Sequence, residues 1–223
     1  MRFYTNITHE LRTPLTLILG PLEDMQKETS LPAKQAQKLS VIHQSALRLL
    51  NLINQILEFR KTETQNKKLC VSKGNIAPLI YEIGLKYKEL NQKTKIDFQI
   101  QIEKEEMLLF FDKEIITIVL DNLISNAIKY TEQGRVTLSL YQTMRNEVAY
   151  TEIKVSDTGY GISAEALPHI FDRYYQESGK HQASGTGIGL ALVKNLVTLH
   201  EGEIRAAVSY THLRAHETEL HLV

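Results

Sequence analysis

The sequence predicts an antiparallel helical hairpin followed by an α/β sandwich, and three observations carry that expectation. From Ile7 to Ile56 apolar residues recur at three- and four-residue steps, the spacing of one helical face. The period switches to two at Ile96-Asp97-Phe98-Gln99-Ile100-Gln101-Ile102, as in a half-buried strand. Beyond that point, asparagine- and glycine-rich stretches fall where strands and helices should meet.

The bulk properties bound the rest. At 223 residues the chain can bury two modest cores. Its 26 basic and 26 acidic side chains balance, so no overall field draws it to nucleic acid or an anionic membrane. Cys70 is the lone cysteine, which fits a reducing compartment. No apolar run approaches the roughly 20 residues that span a bilayer, and no signal peptide is visible. The chain reads as soluble and cytoplasmic, and its start within a helical pattern suggests a fragment of something longer.

The first helix is expected from Met1 to about Lys27, with Ile7, Leu11, Leu15, Ile18, Leu22 and Met25 on one face. Pro14 and Gly20-Pro21 interrupt it, which predicts a bend. Glu28 to Pro32 reads as a turn. The second helix, from Ala33 to about Thr62, repeats Leu39, Ile42, Ala46, Leu49, Ile53 and Ile56 in 3-4 steps, a coiled-coil seam. It would be about 45 Å long. A hairpin of two such helices cannot satisfy all of its apolar surface internally, so pairing with a second copy into a four-helix bundle is expected. Residues 1–66 thus form one domain, with a polar linker expected from Thr62 to Lys68.

In the second domain, residues 67–208, a short strand is expected at Lys68 to Ser72, and Asn75 can cap a helix to about Gln92. The Ile96–Ile102 strand follows. Asp112 can cap a helix through Lys129, and strands are expected at Val136 to Tyr141 and Val148 to Val155. One helix should follow Ser163 and another should run from Gly187 to about His200. A mixed sheet with helices on one face results.

Two stretches carry candidate chemistry on the helices. His9-Glu10-Leu11-Arg12-Thr13-Pro14 sets an imidazole beside a carboxylate. A neutral imidazole is nucleophilic, and Glu10 is near enough to take or steer its proton. Asn122 and Asn126 lie four apart on one helical face, with Lys129 and Tyr130 a turn further. Amide oxygens suit a hard cation, and the lysine can neutralise phosphate; an isolated pair of this kind is otherwise a solvated stripe.

Three more stretches follow in the loops. Asp157-Thr158-Gly159-Tyr160-Gly161-Ile162 sets a carboxylate at a strand end, able to accept from an exocyclic amine, before glycines that allow close backbone approach. Gly185-Thr186-Gly187-Ile188-Gly189-Leu190 opens a helix whose N–H groups can cradle phosphate. It is neither a Rossmann nor a Walker loop. Between them, Phe171 and Tyr174-Tyr175 can anchor a lid. His212 and His216 lack a third ligand for a metal.

In this order, H-E-L-R-T-P-L, N-L-I-S-N-A-I-K-Y-T, D-T-G-Y-G-I and G-T-G-I-G-L resemble the H, N, G1 and G2 boxes of sensor histidine kinases, with Ile170 to Tyr175 as the F box. The resemblance spans residues 1 to about 208, and Phe3-Tyr4-Thr5-Asn6 with Gly20-Pro21-Leu22-Glu23 looks most like the hybrid sensor kinases. It implies a dimeric helical bundle joined to an ATP-binding sandwich of the histidine kinase, gyrase and chaperone type. His9 would be phosphorylated and then donate to an aspartate of a response regulator receiver domain, with Glu10 as base and Thr13 positioning water for the phosphatase reaction.

The resemblance further implies that ATP is held by Asn122, Asn126, Lys129, Tyr130, Asp157, Gly159, Gly161, Ile162, Arg173, Gly185, Thr186, Gly187, Ile188, Gly189 and Leu190, with Mg²⁺ on Asn126. The chain would be the cytoplasmic portion of an inner-membrane sensor, touching the membrane only through flanking segments.

Two departures stand out. Gln176 occupies a position where many relatives carry an arginine, and Arg173 is the nearest substitute. From Ser209 to Val223 the sequence leaves the family pattern, lacking glycine, proline and phenylalanine, so the tail reads as non-native and the sheet is expected to lack its last strands. That expectation supports an alternative, a dimeric scaffold or phosphatase-biased module with an impaired ATP domain. A gyrase- or chaperone-type ATPase is a further alternative, although those lack the histidine helix.

Overall fold

The computed structural model describes residues 2–27, 31–63, 68–91, 95–145, 148–177, 186–209 and 215–222; side chains at 2–13, 27, 63, 145, 148, 209 and 215–222 lie outside that description. The turn expected from Glu28 lies largely outside it as well. The chain divides into two compact units, Met1–Lys61 and Thr62–Val223.

The first unit is a helical hairpin. Helix α1 covers Arg2–Lys27 and continues through Pro14 and Pro21 as one element; α2 covers Ala33–Glu63. Pro32 opens α2, its carbonyl accepting from Gln35 N at 2.8 Å and Ala36 N at 3.0 Å, which suits a residue with no N–H to lose. Leu15 and Leu19 are buried with Ala46, and Leu22, Leu50 and Ile53 pack around them. The expected seam divides in two. Leu39 and Ala46 are buried within the chain, whereas Ile42, Leu49 and Ile56 are 53%, 49% and 44% exposed. The exposed three are seven residues apart, so they line one outward stripe. Ile18 and Met25 of α1 are likewise exposed and seven apart.

The second unit begins with β1 (Ser72–Asn75), later than expected because the backbone of Cys70 is committed to Asp112 Oδ2 at 2.8 Å. Asn75 caps α3 (Ile76–Leu90) as anticipated, accepting from Ala77 N at 3.2 Å. Strand β2 (Ile96–Ile102) has the bounds its alternation gave. Strand β3 (Leu108–Phe111), which was not expected, pairs antiparallel with β1. Helix α4 (Lys113–Tyr130) follows, then β4 (Gly134–Arg145) and β5 (Val148–Asp157).

The helix expected after Ser163 is a single 3-10 turn at Leu167–His169. Ser163 starts it, its carbonyl accepting from Ala166 N at 3.2 Å and Leu167 N at 3.0 Å. Pro168 then removes a donor and crowds the preceding turn, which stops an α-helix from forming.

Helix α5 spans Gly189–Leu199. The expectation of missing final strands is overturned: β6 (Glu203–Ser209) and β7 (Ala215–Leu222) complete a sheet of order β2-β4-β5-β7-β6. Strand β7 sits between β5 and β6, with Leu220 opposite both Ile153 and Ile204. A ladder needs backbone groups and alternation, and Thr218, Leu220 and Leu222 alternate with Glu217, Glu219 and His221 without the family's usual residues. Among the described strands, only β2 and β4 pair in parallel, joined in register from Ile96–Gly134 to Ile102–Leu140. The buried positions Val136, Leu138, Leu140, Ile153 and Val155 form the sheet side of a core that α4 completes with Ile115, Ile116, Val119, Leu120, Leu123, Ile124 and Ala127.

Candidate nucleotide site

Helix α4 is the axis of the site. Asp112 Oδ1 accepts from Glu114 N at 3.0 Å and Ile115 N at 3.1 Å, satisfying first-turn donors that helix geometry leaves open. Because the apolar face is committed to the sheet, Asn122 and Asn126 stay half-buried at its margin. Asn122 Nδ2 donates to Ile118 O at 2.8 Å. Its Oδ1 lies 2.9 Å from where a Cβ on Gly189 would stand, so the first residue of α5 rests against the asparagine face. Only glycine permits that approach without displacing the amide.

The other end of α4 meets the Asp157 turn. Asp157 is 5% exposed and accepts from Gly159 N at 2.9 Å, fixing its carboxylate. Tyr160 N donates to Tyr130 O at 3.2 Å, and a side chain at Gly159 would collide with that same carbonyl. Thr158 completes the fixture, its N–H donating to Arg135 O at 3.0 Å and its Oγ1 accepting from Arg135 N at 2.9 Å. Gly161 has φ 71°, a left-handed conformation for which glycine carries no Cβ penalty, and Ile162 is half-buried. Lys129 Nζ lies over the Tyr130 ring, 4.6 Å from its centroid, and donates to the Tyr130 hydroxyl at 3.2 Å. Tyr160 Oη donates to Glu132 at 2.7 Å, a bond that holds the phenol protonated and raises its pKa above the ordinary value.

At the start of α5, Thr186 Oγ1 accepts from Ile188 N at 3.4 Å. Ile188 is buried and its side chain has no acceptor, so the first-turn N–H groups of α5 point where an anion is favoured. Leu190 is half-buried behind them. Arg173 and Gln176 are both exposed. Gly185 lies outside the described residues.

The structure thus gathers Asn122, Asn126, Lys129, Tyr130, Asp157, Gly159, Gly161, Gly187 and Gly189 along one helix and the two turns that abut it. His9, Glu10 and Thr13 belong to the other unit, on α1; their side chains lie outside the described residues, and His9 and Thr13 share a helical face by spacing. Sequence reasoning missed His200, whose Nε2 accepts from Asp112 N at 3.0 Å. No local pattern announces a bond across such a span.

A histidine-bearing helical hairpin joined to a sandwich with an asparagine helix, an aspartate turn and a glycine-opened helix defines a two-part ATPase with a phosphoacceptor segment. Residues 1–65 match the model of the His Kinase A (phospho-acceptor) domain, and residues 111–221 match that of the Histidine kinase-, DNA gyrase B-, and HSP90-like ATPase. The chain belongs to the histidine kinases and carries their phosphoacceptor and ATPase domains.

Similar proteins include Histidine kinase P4 of Formosa agariphila, 37% identical over 92% of this chain and 15% of that protein. Another is Hybrid signal transduction histidine kinase D of Dictyostelium discoideum, 33% identical over 91% and 13%. Sensor histidine kinase WalK of Bacillus subtilis is 31% identical over 92% and 34%. The chain therefore spans between 13% and 34% of the length of these relatives.

Among solved structures, full-length ShkA in complex with AMPPNP aligns with TM-score 0.78 at 24% identity, covering 98% of this chain and 45% of that one. The Acinetobacter baumannii histidine kinase AdeS aligns with TM-score 0.64 at 20% identity, covering 96% of each chain. Both share the fold. Among the described residues, no helix is long and apolar enough to cross a membrane.

Proposed function

We propose that the chain is an ATP-dependent protein-histidine kinase core that phosphorylates His9 and donates the phosphoryl group to an aspartate of a receiver domain. One observation carries the reading: both glycine motifs abut α4, Gly189 at Asn122 and Gly159 at Tyr130, so base and phosphate recognition lie along one helix. Asp157 would accept from the adenine amine, and the α5 N-terminus, with Gly187 and Gly189, would hold phosphate oxygens. Lys129 and Tyr130 would contact phosphate or ribose. The amide oxygens of Asn126 and Asn122 fit a hard cation. Mg²⁺ supplies neutralisation of the phosphate charge when bound.

The chemical step forms a bond from a His9 ring nitrogen to the γ-phosphorus and breaks the bond to the β-phosphate oxygen, releasing ADP, while Glu10 takes the imidazole proton. Residues 1–66 serve as dimerisation and phosphotransfer domain and 67–208 as ATP-binding domain. The outward stripe of Ile42, Leu49 and Ile56 supports a homodimer. The scaffold alternative rested on absent final strands, and β6 and β7 remove that ground. By analogy with sensor kinases, the chain works as the cytoplasmic part of a membrane sensor.

Incubation with γ-labelled ATP and Mg²⁺ tests the reading. The label is expected on the protein, acid-labile and alkali-stable, and lost in His9→Gln. An unlabelled wild type, or a His9→Gln chain labelled as strongly, refutes it.

A further inference from the structure

Helix α5 is registered on α4 at both ends. Its first residue, Gly189, sits against Asn122; at the other end, the C-cap His200 accepts from Asp112 N. The helices therefore run antiparallel, and the two contact points are about 16 Å apart along an 11-residue helix.

The His200 end is built in detail. Helix α5 closes in a Schellman turn: Gly202 N donates to Val197 O at 2.9 Å and Glu201 N to Thr198 O at 3.1 Å, with Glu201 left-handed at φ 60°. That turn fixes the direction in which the His200 ring leaves the helix. On the receiving side, Asp112 is 3% exposed, and its N–H is the N-cap donor that a capping box satisfies with an acidic or amide side chain at N3. Here N3 is Ile115, which has no acceptor. The imidazole of a distant helix takes that place. Asp112 Oδ2 meanwhile accepts from Cys70 N at 2.8 Å, so one buried residue joins α4, α5 and the strand-leading segment after α2.

We propose that His200 is a positioning residue for the nucleotide: through the N-cap of α4 it sets the axial register of α5, and with it the depth at which Gly187 to Gly189 meet the asparagine face. A shift of this register moves the phosphate-facing N–H groups without altering any of them. The inference rests on the ATP reading above.

The experiment compares ADP and AMPPNP dissociation constants by calorimetry for the wild-type chain, His200→Gln and His200→Phe, with thermal midpoints for each. Glutamine returns an oxygen near the Nε2 position; phenylalanine keeps the ring and removes the acceptor. His200→Phe is expected to bind roughly tenfold more weakly, and His200→Gln within about threefold of wild type on the same scale. Ile83→Val, which leaves a small cavity in α3, provides a destabilised control whose affinity is expected to stay within about threefold of wild type.

Hydrogen exchange in the wild type needs no variant: nucleotide is expected to slow exchange at the Asp112 amide. Unchanged affinity in His200→Phe, equal losses in both variants, or an Asp112 amide indifferent to nucleotide overturns the inference alone. A wild type that binds neither nucleotide overturns the ATP reading and this inference with it.

Discussion

Tyr174 N donates to Gly187 O at 2.8 Å, and both residues are left-handed, with φ 61° and 67°. This backbone bond ties the two residues together. A Cβ on Gly187 would lie 2.6 Å from the Tyr174 carbonyl carbon, against backbone that has no rotamer to relieve it. Gly187→Ala is expected to cost about 2–4 kcal/mol and to lower nucleotide affinity, read by denaturant unfolding and calorimetry. A variant with wild-type stability would show that the clasp opens freely.

Glu201 occupies the left-handed position that usually belongs to glycine in a Schellman turn. Glu201→Gly removes the Cβ penalty but adds unfolded-state freedom, and the balance favours the variant by about 0.5–1 kcal/mol. A raised thermal midpoint with the α5 terminus intact is the expected result.

The outward stripe on α2 makes a prediction about association. Leu49 is 49% exposed in the single chain, so Leu49→Asp should leave the hairpin core of Leu15, Leu19 and Ala46 in place. The variant is expected to sediment as a monomer under conditions where the wild type is a dimer, with nucleotide affinity unchanged. A wild type that is monomeric at all concentrations removes the basis of the stripe argument.

Tyr87 gives a pH signature. Its hydroxyl donates to Asp121 Oδ1 at 3.0 Å, and burial, then the Asp121 charge, raise its pKa well above the ordinary value. The folded state therefore holds this proton more tightly than the unfolded chain. The corresponding stability is fully present below about pH 10, the unfolded value, and falls as pH rises beyond it. Tyr87→Phe is expected to flatten the alkaline limb of the stability profile while lowering stability at neutral pH.

Local chemistry made much of this legible. Asn75 and Asp112 were readable as caps because a cap needs only a short polar side chain before an apolar period, and Ile96–Ile102 because alternation sets its own limits. The segment after Ser163 was misread because its composition suits a helix, while Pro168 acts on geometry. Strand β3 was missed because Leu108-Leu109-Phe110-Phe111 is a short unbroken apolar run, which periodicity cannot assign. The final strands were dismissed because family residues were absent, though backbone pairing does not require them. The site motifs stood out singly, but their convergence on α4 and the His200–Asp112 bond depend on helix packing that no local window contains.

The parallel pairing of β2 with β4 has a kinetic consequence. Ile96 meets Gly134 only after β3 and α4 have been threaded between them, a closure whose entropy must be met before any ladder bond forms. In the amino-terminal hairpin only five residues separate α1 from α2 in sequence. Helical units of that kind fold on the order of microseconds to milliseconds, and sheets with distant partners on the order of milliseconds to seconds. On the ribosome, the helical hairpin therefore emerges and matures ahead of the sheet of the ATPase domain.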